Sequence, residues 1–194
     1  MRLSEFIRSI RPASIAERSR ASVWGVADGV DVSMPYPYAG WINVADSQYT
    51  QGAPRTILSG VRTQLTVNGG GATTEMRFAD GLPPDAWDGN KFKPVAVGEA
   101  YLLRVVCTVS QSTSGSGHYV TFEADIGTDA VPFVTAAQSV PLIKGQGLPT
   151  LVTVTGPFFC LETFGRNGMR VFVTPSTDIT LWGAAIFIQR TFRP

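Results

Sequence analysis

Residue-by-residue alternation of apolar and polar side chains runs through most of the chain after Trp41, and it restricts the fold more than any other feature. From His118 to Ile126, Val120, Phe122, Ala124 and Ile126 fall on one side, and Tyr119, Thr121, Glu123 and Asp125 on the other. Successive side chains of a strand point to opposite faces, so this is the pattern of a half-buried antiparallel strand. Tyr101–Val109 repeats it, with Leu103, Val105, Cys107 and Val109 on one face. Further strand-like runs cover Ile42–Tyr49, Thr63–Asn68, Val131–Thr135, Thr150–Thr155, Phe158–Glu162, Met169–Val173 and Ile179–Arg190. Turn-forming clusters separate them, at Asn68–Gly71, Ser112–Gly117, Lys144–Gly147 and Gly165–Gly168. Roughly eight to ten short strands without helical periodicity between them predict an all-β antiparallel sandwich or barrel. A chain of 194 residues suffices for one such core.

The last run is apolar on both sides. Thr180, Trp182, Ala184, Ile186 and Ile188 alternate with Ile179, Leu181, Gly183, Ala185 and Phe187. A strand with two apolar faces needs cover on both. One face is expected in the core; Trp182, Ala184, Ile186 and Ile188 are expected on the other, against a neighbouring subunit.

Residues 1–39 form an N-terminal arm and linker, and residues 40–194 the β-domain. Ser4 is placed to cap a short helix with Phe6, Ile7 and Ile10 as its apolar stripe, ended by Arg11-Pro12. Five Arg and two Glu among residues 1–20 make this segment locally basic. It cannot bury its own stripe, so it needs a partner. From Ser22 to Gly40 the chain reads as a linker or an edge strand, because Pro35 and Pro37 do not suit a central strand. The arm has no apolar stretch of secretory type, so synthesis in a reducing cytoplasm is expected.

A net charge of +1 and a charged fraction of 16% provide no field for nucleic acid or an acidic membrane. No apolar run has the length of a membrane-spanning helix. So few charges fit a surface partly hidden in an assembly. Cys107 and Cys160 sit in apolar β-like runs and are expected as buried free thiols. No catalytic constellation emerges. His118 is the single histidine, at a loop-to-strand junction, without a nucleophile motif. Asp80, Asp85, Asp88 and Asn90 lie close together but lack the spacing of a calcium loop; turn capping is the plainer role. Glu123 and Asp125 share a strand face, where a carboxylate pair is more often plain exterior. Tyr36, Tyr38 and Trp41 could stack on sugars, but no basic residues interleave them as a nucleic-acid platform requires. No enzyme, cofactor or metal site is expected.

Three stretches carry a resemblance: Gly40–Thr50 (GWINVADSQYT), Ile57–Gly71 (ILSGVRTQLTVNGGG) and Phe78–Val109 (FADGLPPDAWDGNKFKPVAVGEAYLLRVVCTV). Gly40 and Trp41 open the first strand. Thr63, Leu65, Thr66, Asn68 and Gly69 follow as a hairpin. Asp80, Gly81, Trp87, Asp88, Asn90, Lys91 and Phe92 form a loop leading to Gly98, Glu99, Tyr101, Arg104 and Val105. The pattern, over roughly the middle third of the chain, resembles the small jelly-roll virion proteins of tailed bacteriophages. These are trimeric decoration, cement or head-fibre proteins with a fold of the C1q/tumour-necrosis-factor type. The resemblance implies an antiparallel jelly-roll β-sandwich, a homotrimer, and a place on the exterior of a virion capsid. Arg2, Phe6, Ile7, Arg8, Ile10 and Arg11 would then dock the arm on the major capsid protein. A receptor- or carbohydrate-binding module of a phage tail or fibre, holding a surface glycan, is the alternative it leaves open.

Overall fold

Ten strands and one short helix are formed among the described residues of this computed structural model, which are 41–67, 86–192 and the backbone of 71–75. All of them belong to the unit Pro37–Pro194. The arm residues Arg2, Phe6, Ile7, Arg8, Ile10 and Arg11, the short helix expected there, and Asp80 and Asp85 lie outside the described residues.

The elements in chain order are β1 (Trp41–Ala45), β2 (Arg55–Ile57), β3 (Thr63–Gln64), β4 (Gly71–Glu75), β5 (Ala100–Gln111), β6 (Tyr119–Asp125), β7 (Val134–Pro141), β8 (Pro149–Phe159), α1 (Glu162–Asn167), β9 (Arg170–Pro175) and β10 (Ile179–Phe192). They build an antiparallel jelly-roll sandwich. The large sheet has the order β4-β1-β10-β5-β8, with β2 also pairing β10; the small sheet has the order β3-β9-β6-β7. After β7 the chain changes sheet at every strand, so sequence neighbours such as β8 and β9 lie in different sheets instead of pairing.

The core is the inner alternation of both sheets. Leu103, Val105, Cys107 and Val109 of β5 meet Val120, Phe122 and Ala124 of β6, together with Val171 and Val173 of β9. Each such side chain contributes about 1.5–3 kcal/mol on leaving water. Both cysteines are free and buried. Burial pushes the Cys107 thiol up to about 12 and the Cys160 thiol up to about 11, which leaves both unreactive.

The strand bounds differ from the sequence pattern for local reasons. β1 stops at Ala45 because the Asp46 carboxylate accepts the Gln48 amide at 2.9 Å, closing a turn. The runs at Thr150 and Phe158 are one strand, β8; Pro157 is tolerated because β8 is an edge. β7 starts later than expected and continues through Ala136, Ala137 and Gln138, which carry little strand propensity.

The largest correction concerns β10. Gly183 adopts φ +61°, and the pairing with β5 slips there: Trp182 faces Thr108, yet Ala185 faces Val106. Three steps on β10 answer two on β5, which is a β-bulge, and one extra residue exchanges the two faces. Ile179 and Leu181 before the bulge therefore share the core with Ala184, Ile186 and Ile188 after it. These last three are buried within one chain, so the subunit contact expected of them is not theirs. Trp182 stays outside, joined by Ala185 and Phe187.

Candidate functional site

The outer face of the large sheet is built chiefly from four strands, β1, β10, β5 and β8, joined by three ladders in register. Trp41, Asn43 and Ala45 of β1 lie beside Gln189, Phe187 and Ala185 of β10; these lie beside Leu102, Arg104 and Val106 of β5, and these in turn beside Pro157, Thr155 and Thr153 of β8. Beyond the bulge, Trp182, Thr108 and Leu151 continue the surface. The Trp41 and Phe187 rings are 5.6 Å apart, and the Arg104 guanidinium lies 5.0 Å from the Phe187 ring. Among the described residues of β1, β10, β5 and β8, Arg104 is the one charged side chain on this face. Trp41, Leu102, Val106, Trp182 and Phe187 on this face are half-buried, and Leu151 is exposed.

The second unusual surface is the open edge between β7 and β8, which belong to different sheets. Seven of the eight β7 residues are exposed. From Ala130 to Leu161 the chain carries a single charge, Lys144. Eight of the fourteen exposed large apolar side chains among the described residues fall in this stretch, including Leu151 (71%), Phe159 (70%) and Val131 (70%). Between the two strands a groove of about 320 Å³ opens into the core, lined chiefly by Leu103, Val105, Phe122, Ala124, Ala136, Val154 and Phe158. Gln138 pairs with Phe122 and Ala136 with Ala124, so both β7 side chains take the core side of their strand and border the groove.

The small sheet's outer face carries the polar chemistry, and it is engaged internally. Arg62 holds Glu123 at 2.6 Å and Asp125 at 2.8 Å, while Arg170 lies 3.6 Å from Asp125 and also holds Asp129. The Phe172 ring sits between the two guanidinium groups, at 3.5 and 5.2 Å. Asp125 is fully buried and accepts the Gly127 and Phe133 amides at 2.7 and 2.9 Å. Burial alone would raise its pKa, but the Phe133 amide, Arg62, the Gly127 amide and Arg170 together hold it below the ordinary carboxylate range. These carboxylates are structural partners of arginines, not a free acid–base pair.

A second buried cluster went unread in the sequence. Glu99 and Arg190 are both almost fully enclosed and paired at 3.1 Å. Glu99 also accepts the Ala96 amide at 3.0 Å and the Tyr101 hydroxyl. Arg190 continues the inward phase of Ile186 and Ile188, so an inward arginine was the available signal for a carboxylate opposite.

The remaining candidates have local roles. Asp88 accepts the Asn90 and Lys91 amides at 3.0 and 2.9 Å and lies 3.3 Å from Lys93. Despite partial burial, those amides and Lys93 hold its pKa below the usual value. His118 is half-buried, with its ring against Gly115. Among the described residues no group of three His, Cys, Asp or Glu is placed to hold a metal ion, and no helix is long and apolar enough to cross a membrane.

No protein-family model and no curated protein matches the chain. Solved structures of similar form include Eiger TNF from S. frugiperda, at 11% identity over 81% of this chain and 95% of that one, with a TM-score of 0.47. Dimeric latent PorU from Porphyromonas gingivalis is 10% identical over 79% of this chain and 13% of that one, with a TM-score of 0.38. The Cowpea Mosaic Virus empty virus-like particle is 8% identical over 82% of this chain and 81% of that one, with a TM-score of 0.30.

Proposed function

We propose that this chain is a structural virion protein, a trimeric decoration or cement protein on the outside of a tailed-phage capsid. The observation that carries the reading is the outer face of the large sheet. Trp41, Trp182, Phe187, Leu102, Val106 and Leu151 share the surface of β1, β10, β5 and β8, on which Arg104 is the one charge among the described side chains. Water is a poor solvent for such a face, and self-assembly removes it from water. The sandwich has no catalytic role in this reading: Glu123 and Asp125, the carboxylates a hydrolase would need, are occupied by Arg62 and Arg170. Attachment to the major capsid protein falls to the arm, where several weak contacts made at once by three copies multiply. The protein would be made in the host cytoplasm and end on the capsid exterior.

Two measurements test this. Light scattering after size exclusion should give the mass of three chains; a monomer would remove the reason to cover the apolar face. Deleting residues 1–22 should leave thermal unfolding unchanged and abolish co-sedimentation with capsids. Undiminished co-sedimentation of the truncated protein would end the anchoring role. The decoration reading also expects no binding on a glycan array, where a receptor-binding module would give a signal.

A further inference from the structure

The open edge and the outer face of the large sheet lie on different parts of the chain, yet share one chemistry. Both are poor in charge: Lys144 is the one charge from Ala130 to Leu161, and Arg104 the one on the described side chains of the β1, β10, β5 and β8 face. A charged or strongly polar partner would be left unpaired against either, whereas each suits the other. Resting on the proposed self-assembly, we propose that the groove between β7 and β8 is the socket of the subunit contact, and that Trp182 of a second copy fills it.

The two halves match in detail. Trp182 sits at the β10 bulge, half-buried on the outer face, and its ring stacks on no other aromatic among the described residues. An indole buried at a contact needs an acceptor for its N–H. The groove supplies an apolar wall in Leu103, Val105, Phe122 and Val154, and one neutral amide in Gln138, whose side-chain oxygen can accept. At about 320 Å³ it lies at the lower end of the range that encloses a ring-sized group. Because socket and knob belong to different surfaces, the contact is heterologous, and repeating it by rotation closes a ring. It also covers β7, an exposed strand edge without the charges or interior proline that normally protect such an edge.

The test uses the full-length chain. With Trp182→Ala, the concentration for half-dissociation should rise about thirty-fold or more, the size of effect a buried aromatic anchor gives, while far-UV circular dichroism stays that of the parent. Ala136→Phe, which fills the socket from within its own strand, should have the same effect. A third experiment mixes Gln138→Cys and Trp182→Cys chains under mild oxidation. Cross-links should join Cys at 138 to Cys at 182 and should not join two copies of the same variant. A parent trimer that Trp182→Ala leaves intact would overturn the socket and leave the trimer standing. So would cross-links between identical positions, which mean a two-fold contact. A parent monomer would overturn both. If the assembled parent still binds 8-anilino-1-naphthalenesulfonate in a manner that Ala136→Phe abolishes, the groove holds a small apolar ligand and the proposal fails.

Discussion

Gly183 and Gly168 both have positive φ, +61° and +76°, but their surroundings differ. A Cβ at Gly183 meets nothing within 4 Å, so Gly183→Ala carries only the conformational cost, about 1–2 kcal/mol. A Cβ at Gly168 would stand 2.6 Å from the Phe92 carbonyl oxygen, where β9 is tied back to the Phe92 segment. Gly168 also has ψ −171°, a region essentially reserved for glycine, so Gly168→Ala adds a backbone clash to backbone strain and is expected to cost about 3 kcal/mol or more. Urea unfolding of the two variants should show this order; equal losses would mean that the Phe92 segment gives way freely.

Among elements, one ion cluster ties strands that no hydrogen-bonded ladder joins, and the other reinforces the end of a ladder. Arg62, just before β3, bridges across β9 to Glu123 and Asp125 of β6. Because the folded pKa of Asp125 is depressed, its contribution is present above the unfolded value of about 3.9 and is lost as pH falls through the folded value. Parent stability should therefore drop below about pH 4. Asp125→Asn should cost about 3 kcal/mol at neutral pH and flatten that acid limb; an unchanged limb would assign acid sensitivity to other carboxylates. Glu99, just before β5, and Arg190, near the end of β10, lock the end of the ladder those two strands share. Removing one partner strands the other, so Glu99→Leu should cost about 3–5 kcal/mol. The double variant Glu99→Leu/Arg190→Met should recover part of that loss, measured as a coupling energy in a double-mutant cycle. Additive losses would mean that Tyr101 and the Ala96 amide, not Arg190, set the energetics.

For the whole molecule, the distribution of charge separates the surfaces. Among the described residues, ion pairs lie on the small sheet's outer face, at the Glu99 cluster and between Asp88 and Lys93, whereas the face of β1, β10, β5 and β8 and the β7–β8 edge are nearly bare of charge. An assembly through the bare surfaces should be almost indifferent to salt, because there is little charge to screen. Raising sodium chloride from about 0.05 to 0.5 M, where the Debye length falls several-fold, should leave the half-dissociation concentration within about two-fold. A fall of ten-fold or more in affinity would place the contact on the charged faces.

Much of this was legible from period alone. The inner faces of β5 and β6, the burial of both cysteines as free thiols, and the all-β class follow from alternation and side-chain hydrophobicity, which are local properties. The phase of β10 was not legible. A period-2 reading assumes an unbroken strand, and the slip at Gly183 arises from pairing with β5, about seventy-five residues earlier in the chain. It reassigned Ala184, Ile186 and Ile188 to the core and left Trp182 outside. The partners of Glu99 and Asp125 were hidden for the same reason: periodicity shows that a charge points inward but not which distant charge it meets. The sequence by itself determined which side chains must leave water; only the tertiary structure decided register, and register decides which surface remains for a partner.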